Sequence, residues 1–185
     1  DLLLIGVGQS IYEGSLLGKF LGFTTKIINP EKFINQVTGK ESLFENSPFD
    51  DRTRTILGKS DTSVGVLIDK DFSKIDQIFI PIFREKDIYL ILFAQKLIKN
   101  SGSQITVLDA VRQIKNNSEI KELIRTIEQF ATNHINLVNE RIIEKEFLKQ
   151  NDLMIVSADS WKKLIETKSV WLSDIPSTLI LSNKN

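Results

Sequence analysis

Short apolar runs alternate along the chain with segments whose apolar residues recur every three or four positions, which predicts strands and helices in turn. The runs dense enough for strands buried on both faces lie at residues 1–6 (DLLLIG), 63–69 (SVGVLID), 77–83 (QIFIPIF), 104–108 (QITVL), 152–157 (DLMIVS) and 177–183 (STLILSN). Residues 135–138 form a weaker strand candidate. Alternating strands and helices with short connections favour a mostly parallel sheet with helices on both faces, so the predicted fold class is α/β.

Helix-capping residues, glycine and proline indicate where the predicted elements begin and end. Asp87 is expected to cap a helix that stops at Gly102, and Ser118 to cap a second helix with Phe130 on its apolar stripe. Pro81 indicates an irregular or exposed position near the end of its strand, because proline has no N–H to donate to a ladder.

A strand–helix–strand ending occurs twice, which predicts two related units. Residues 1–70 are interpreted as the C-terminal part of a first domain, and residues 71–185 as a complete second domain. Residues 29–60 interrupt the first unit and are predicted to be a helical and loop insertion. The strand-like start at Asp1 suggests a piece of a longer chain.

Composition argues against several classes of function. Lys plus Arg and Asp plus Glu are equal at 24 each, so the chain lacks the surplus of positive charge on which nucleic-acid binding depends. The absence of cysteine excludes disulfides and thiolate catalysis, and His134 is the single histidine, which argues against most metal sites and Ser-His-Asp triads. No run approaches the roughly 20 apolar residues of a membrane helix. We therefore expect a soluble, intracellular, non-enzymatic module without a metal or nucleic-acid partner.

The glycine-rich start is the candidate ligand site. The dinucleotide fingerprint fails because Ile11 stands at the third glycine position, and the P-loop pattern fails because its glycines are one residue too close and Phe20 replaces the magnesium-binding hydroxyl. A looser phosphate nest of backbone N–H groups is an open alternative, although a flexible turn leading into a helix is the favoured interpretation. The residues of the candidate nest are Gly6, Gly8, Gly14, Ser15, Gly18 and Lys19.

The order of these segments resembles a known family. DLLLIGVG from Asp1, SVGVLIDKDF from Ser63, IFIPIF…AQKLIKNSGSQITVLDA from Ile78 and DLMIVSADSW from Asp152 are similar to the tandem universal-stress-protein-like cytoplasmic tail of bacterial monovalent cation/proton antiporters of the second family. The resemblance implies a Rossmann-like fold and a regulatory role. It also implies an upstream transmembrane transporter domain on the same polypeptide, at the cytoplasmic face of the inner membrane.

Stress-protein domains commonly pair through their last strands. The resemblance therefore predicts that residues 63–69 lie near residues 177–183, an arrangement that also protects open strand edges. A homodimer is expected if the incomplete first unit leaves another edge uncovered.

Departures from nucleotide-binding stress proteins in both units argue against ATP binding. The first strand of the second unit ends at Arg84 instead of an acid, and residues 157–161 (SADSW) contain no glycine. In the first unit, Gln9 and Lys19 replace family glycine and hydroxyl positions. No cofactor is predicted, and the alternative function is a free-standing stress-type sensor that binds an adenine nucleotide.

Overall fold

The computed structural model describes residues 2–7, 27–28, 63–70, 73–112, 114–139, 143–167 and 169–182. Within these residues, eight strands form one sheet in the order β2-β1-β3-β8-β7-β4-β5-β6. The strands are β1 Leu2–Val7, β2 Ile27–Ile28, β3 Ser63–Ile68, β4 Gln77–Ile82, β5 Gln104–Asp109, β6 Ile135–Val138, β7 Leu153–Ser157 and β8 Ser177–Ser182. The α-helices of the described residues are α1 Leu90–Ser101, α2 Ser118–Phe130, α3 Lys145–Lys149 and α4 Ala158–Glu166.

The sheet is parallel except where β3 meets β8. These two strands run antiparallel from Val64↔Ser182 to Ile68↔Thr178, with Val66 opposite Ile180 at the centre. The prediction that residues 63–69 lie near residues 177–183 is thus confirmed. Because the pairing is antiparallel, β1 and β3 end at one edge of the sheet, whereas β4, β7 and β8 end at the other.

The strand order from β4 onward is that of a Rossmann-like unit. Counted from β4 to β8, the five strands lie side by side in the order 3-2-1-4-5. The predicted fold class, a mostly parallel Rossmann-like α/β sheet, is confirmed. The division of the chain near residue 70 stays a prediction, and the proposed insertion at 29–60 lies outside the described residues.

Helices cover both faces of the sheet, as the apolar periodicity predicts. Alternate residues of β4 face opposite ways: Ile78 and Ile80 pack in the same apolar cluster as α1 and α2, whereas Phe79 packs with α3 and α4. Phe79 meets Phe147 edge-on, with ring centroids 5.3 Å apart. Burial on both faces explains why the strands are apolar runs without polar alternation.

Three local predictions are corrected by the structure. Asn117, not Ser118, caps α2: its extended backbone (φ −89°, ψ 113°) lets its side chain accept the N–H of Ile120 at 3.0 Å. Phe130, at the last position of α2, is 49% exposed, whereas Ile120 and Ile127 are the buried residues of this helix. Pro81 is buried instead of exposed. It lies beyond Ile78 and Phe79, where β4 pairs with β7, so its missing N–H does not interrupt that pairing.

The end of α1 agrees with its sequence signal. Gly102 has a left-handed backbone (φ 70°), and its N–H donates to the carbonyl of Ile98 at 2.9 Å. A residue without a Cβ adopts this conformation at no steric cost, so the glycine stops the helix and directs the chain into β5.

Gly65 lies where β1, β3 and β8 come closest. A Cβ at this position would lie 3.2 Å from Leu4 Cδ1, 3.2 Å from Leu179 Cδ1 and 3.3 Å from Leu181 Cδ2. All three leucines are buried. The absence of a side chain at Gly65 therefore lets leucines from two neighbouring strands meet over the β3–β8 junction.

A Gly65→Val substitution is expected to lower the free energy of unfolding by about 1–3 kcal/mol, because the added methyl groups overfill this packed junction. Urea denaturation followed by circular dichroism measures the change. Gln104→Val is the matched control, since it places the same side chain on an exposed strand position and should change stability by less than about 0.5 kcal/mol. Equal stability of the two variants would contradict the close packing at Gly65.

Candidate functional site

The reversal of strand order between β4 and β7 defines the candidate site. From β4 the chain builds outward to β5 and β6, whereas β7 is followed by β8 on the opposite side. Helices therefore diverge from the carboxyl ends of β4 and β7, and ligands of open α/β sheets bind in the crevice formed at such a point. β4 pairs with β7 at Ile78 and Phe79, near the start of both strands. In contrast, β7 pairs with β8 as far as Ser157↔Leu181.

A fully buried carboxylate, that of Asp87, is the hub of this edge of the sheet. Its Oδ1 accepts hydrogen bonds from Ser157 Oγ at 2.6 Å and from Arg84 Nη2 at 2.8 Å. Its Oδ2 accepts hydrogen bonds from Ser160 Oγ at 2.6 Å and from the backbone N–H of Arg84 at 3.2 Å. A buried charge is tolerated only when its lone pairs are satisfied, and here four donors from two elements supply that compensation.

The N-cap of α1 is Tyr89, so the prediction that Asp87 caps this helix directly is wrong. Asp87 lies in the short 3₁₀ helix Glu85–Tyr89 that precedes α1, and its bond to the Arg84 N–H caps that shorter helix instead. The bonds from the two serine hydroxyls reach the turn after β7, with a sequence separation of 70 for Ser157 and 73 for Ser160. One acidic side chain thus links the ends of β4 and β7.

The guanidinium of Arg84 has an inner and an outer contact. Its Nη2 faces inward to Asp87 and to Ser157 Oγ at 3.3 Å, whereas Nη1 binds the carboxylate of Asp159 at 3.1 Å. Its Nε is buried and has no hydrogen-bond partner within the described residues. Burial opposes the guanidinium charge, but the bonds to Asp87 and Asp159 outweigh this effect and place the pKa of Arg84 above its usual value.

The turn after β7 is shaped by side-chain capping. Ser157 has extended backbone angles (φ −72°, ψ 151°), and its Oγ accepts the N–H of Ser160 at 3.2 Å, which starts α4. The Oγ atoms of both serines donate to Asp87. The glycine-free sequence of this turn, noted above as a departure from stress proteins, corresponds in space to a closed hydrogen-bond network.

A cleft of about 380 Å³ opens beside this network. Its lining is formed by the carboxyl ends of β4, β7 and β8 and the segments that follow, namely Arg84, Lys86, Tyr89, Ser157, Ala158, Asp159, Leu181 and Ser182. The hydroxyl of Tyr89 donates to the carbonyl of Leu181 at 2.8 Å, which connects the 3₁₀ helix to β8. The cleft wall therefore includes the strand that pairs with β3.

The charged side chains at the cleft hold one another in place, and His134 lies apart from them. His134 lies between α2 and β6, with its Nδ1 3.0 Å from the carbonyl oxygen of Thr132, and it does not contribute to the cleft. Among the residues that the structure describes, no group of three or more acidic or histidine side chains converges as a metal site would require. In the same part of the chain, no helix is long and apolar enough to cross a membrane.

The phosphate nest predicted near the N-terminus stays a prediction. Gly6 lies in β1, paired with Leu67, at the edge of the sheet opposite the cleft. The other members of the candidate nest (Gly8, Gly14, Ser15, Gly18 and Lys19) lie outside the described residues.

Sequence reasoning missed the Asp87 network although it noted all of its residues. From the sequence, Arg84 stands where the family has an acid, Asp87 indicates a helix cap, and residues 157–161 are notable for their lack of glycine. The available signal was the pair Arg84-x-x-Asp87 directly after one strand and Ser157-x-x-Ser160 directly after another. Because carboxyl ends of parallel neighbours share one edge, two such pairs meet if their strands are adjacent.

Comparison with known proteins identifies the fold. No family model matches the chain, and no curated protein matches its sequence at a significant level. Among solved structures it is similar to the cytoplasmic domain of a prokaryotic cation chloride cotransporter, with a TM-score of 0.55 and 13% sequence identity. The chain shares that domain's fold. The similarity covers 99% of this chain and 95% of the other, so it extends over the whole domain.

Asp87→Ala is expected to lower the free energy of unfolding by about 2–4 kcal/mol, because it leaves the inner face of Arg84 and two serine hydroxyls without their acceptor. Asp159→Ala removes an acid from the same arginine on its exposed side and should cost no more than about 1 kcal/mol. Urea denaturation of both variants tests the difference. A cost for Asp159→Ala that equals or exceeds that of Asp87→Ala would show that the buried carboxylate is not the hub.

Proposed function

We propose that this chain is a non-catalytic cytoplasmic regulatory domain of a membrane cation transporter. The observation that carries the proposal is the similarity to the cytoplasmic domain of a cation chloride cotransporter over nearly the full length of both chains. Because the match covers nearly all of both chains, it is not limited to the five-stranded Rossmann-like unit. The partner implied is a transmembrane domain of the same polypeptide, at the cytoplasmic face of a bacterial inner membrane.

The finer proposal is that the transporter is a monovalent cation/proton antiporter of the second family. Its support is the ordered set of sequence segments quoted above, in particular the junction SVGVLIDKDF. The β3–β8 pairing adds to that support, because it joins the strand of this junction to the last strand of the chain. A homodimer of the domain belongs to the same proposal.

The non-catalytic part of the proposal is supported by the way the polar groups of the cleft are used. The hydroxyl protons of Ser157 and Ser160 are donated to Asp87, and the inner face of Arg84 is bound to the same carboxylate. These groups stabilise the turn before α4 instead of being held ready for a substrate. The nucleotide-sensor alternative is less well supported, because the same turn lacks the glycines that nucleotide-binding stress proteins carry there.

Reconstitution of the full-length protein into proteoliposomes tests the transport proposal. Addition of Na⁺ or K⁺ should release protons from the lumen, measured with a pH-sensitive dye, and replacement of chloride by gluconate should leave the rate unchanged. A flux that needs chloride would contradict the antiporter and retain the cation-transporter domain. The absence of any cation flux would contradict both.

The regulatory role is tested by deletion of residues 63–185 from the same protein. Because transport chemistry is expected upstream, cation selectivity and the proton requirement should persist, whereas the dependence of rate on cytoplasmic conditions such as pH should be lost or shifted. Lys121→Ala, on the exposed side of α2, serves as a control that should transport like the unmodified protein. A change in which cation is transported would contradict a purely regulatory role.

A further inference from the structure

We propose that the cleft beside Asp87 binds an oxyanion, a carboxylate or phosphate group, which takes the place of Asp159 at Nη1 of Arg84. The proposal concerns the cleft itself and does not depend on attachment of the chain to a transporter. It rests on the unequal anchoring of Arg84, on a second positive side chain in the wall, and on the position of the cleft at the reversal of strand order.

The two sides of Arg84 differ in how firmly they are held. The inner partner, Asp87, is fully buried and bound by two serine hydroxyls as well. The outer partner, Asp159, has a side chain that is 73% exposed and forms a 3.1 Å ion pair with Arg84. An exposed ion pair contributes at most about 1 kcal/mol, so an external anion competes with Asp159 but not with Asp87.

The inner contacts keep Arg84 in position when the outer partner leaves. Its Nη2 stays bonded to Asp87 and Ser157, and its backbone N–H stays bonded to Asp87. The outer nitrogen, Nη1, is therefore presented toward the cleft by a preorganised side chain. Little further ordering is needed on binding, and preorganisation of this kind favours affinity.

Other groups in the wall add positive potential. Lys86 is exposed, lines the cleft, and makes no ion pair within the described residues. The first turn of α4, at Ala158 and Asp159, also lines the cleft, so the positive end of this helix faces the same space. Once Asp159 turns away, the cleft holds a cation at Arg84, a cation at Lys86 and a helix N-terminus.

The dimensions and lining indicate a small organic acid or phosphate ester in preference to a bare ion. A volume of about 380 Å³ is at the lower end of the range for small-molecule sites. The walls include apolar surface from Leu181 and Ala158 and the ring of Tyr89, which suits the carbon portion of such a ligand. The shared chemistry is the oxyanion, and carboxylate and phosphate probes distinguish the two sources.

The test is a titration of the ¹⁵N-labelled chain with inorganic phosphate, methyl phosphate and acetate, followed by ¹H–¹⁵N spectra, with sodium chloride as the ionic-strength reference. We expect saturable shifts for the amides of residues 157–159 and 182, and for the Nε–H of Arg84, with at least one of the oxyanions. Shifts with acetate alone identify a carboxylate ligand, and shifts with the phosphates alone identify a phosphate ligand. Either result supports the site.

Four surface variants locate the binding site without disturbing the buried hub. Lys86→Met should weaken binding about threefold or more and Asp159→Asn should strengthen it by a similar factor, because one removes an attractive charge and the other a competing one. Lys99→Met is the control for the lost positive charge, and Glu119→Gln is the control for an acid lost from the first turn of a helix. Neither control residue lines the cleft, so both variants should bind like the unmodified chain.

Two results would overturn the proposal. One is a set of shifts that chloride reproduces at equal ionic strength, which reports charge screening alone. The other is oxyanion binding that is weaker or unchanged in Asp159→Asn while the spectrum shows an intact fold. If the oxyanion replaces Asp159 at Arg84, removal of the competing carboxylate must strengthen binding.

Discussion

The antiparallel pairing of β3 with β8 is the constraint on which the rest of the molecule depends. It joins the β1–β3 pair to the five-stranded set from β4 to β8 and makes a single sheet of the strands described. It also reverses the direction of the strands, so that β1 ends at one edge and β4, β7 and β8 at the other. Each edge therefore receives the carboxyl ends of only one set of strands. Gly65 allows the close leucine packing at this pairing.

The candidate site lies next to the same pairing. Leu181 lies opposite Gly65 in the pairing with β3, pairs with Ser157 of β7 on its other side, and accepts the hydroxyl of Tyr89. The cleft therefore shares a strand with the junction between the two sets of strands. Arg84, Asp159 and the end of β8 thus line one cleft, and the Tyr89 hydrogen bond ties the 3₁₀ helix to the strand that pairs with β3.

The sequence predicted the strands well because burial on both faces leaves apolar runs that few other structures produce. It also predicted the end of α1, since the left-handed conformation at Gly102 is a local property. The role of Asp87 could not be predicted in this way, because its partners Ser157 and Ser160 lie 70 and 73 residues away. Local rules assigned it to a helix cap. Adjacency of β4 and β7 had to be known before the buried network could be inferred, and Pro81 and Phe130 were misplaced for the same lack of tertiary context.

The proposed attachment of this domain to a membrane transporter is tested most directly by finding where its polypeptide lies in the cell. Cells expressing the native gene are separated into membrane and soluble fractions, and peptides of this chain are identified by mass spectrometry after alkaline extraction. We expect these peptides in the extracted membranes, on a polypeptide much larger than 21.1 kDa that also yields membrane-spanning segments. Their recovery from the soluble fraction, on a polypeptide without such segments, would contradict the account.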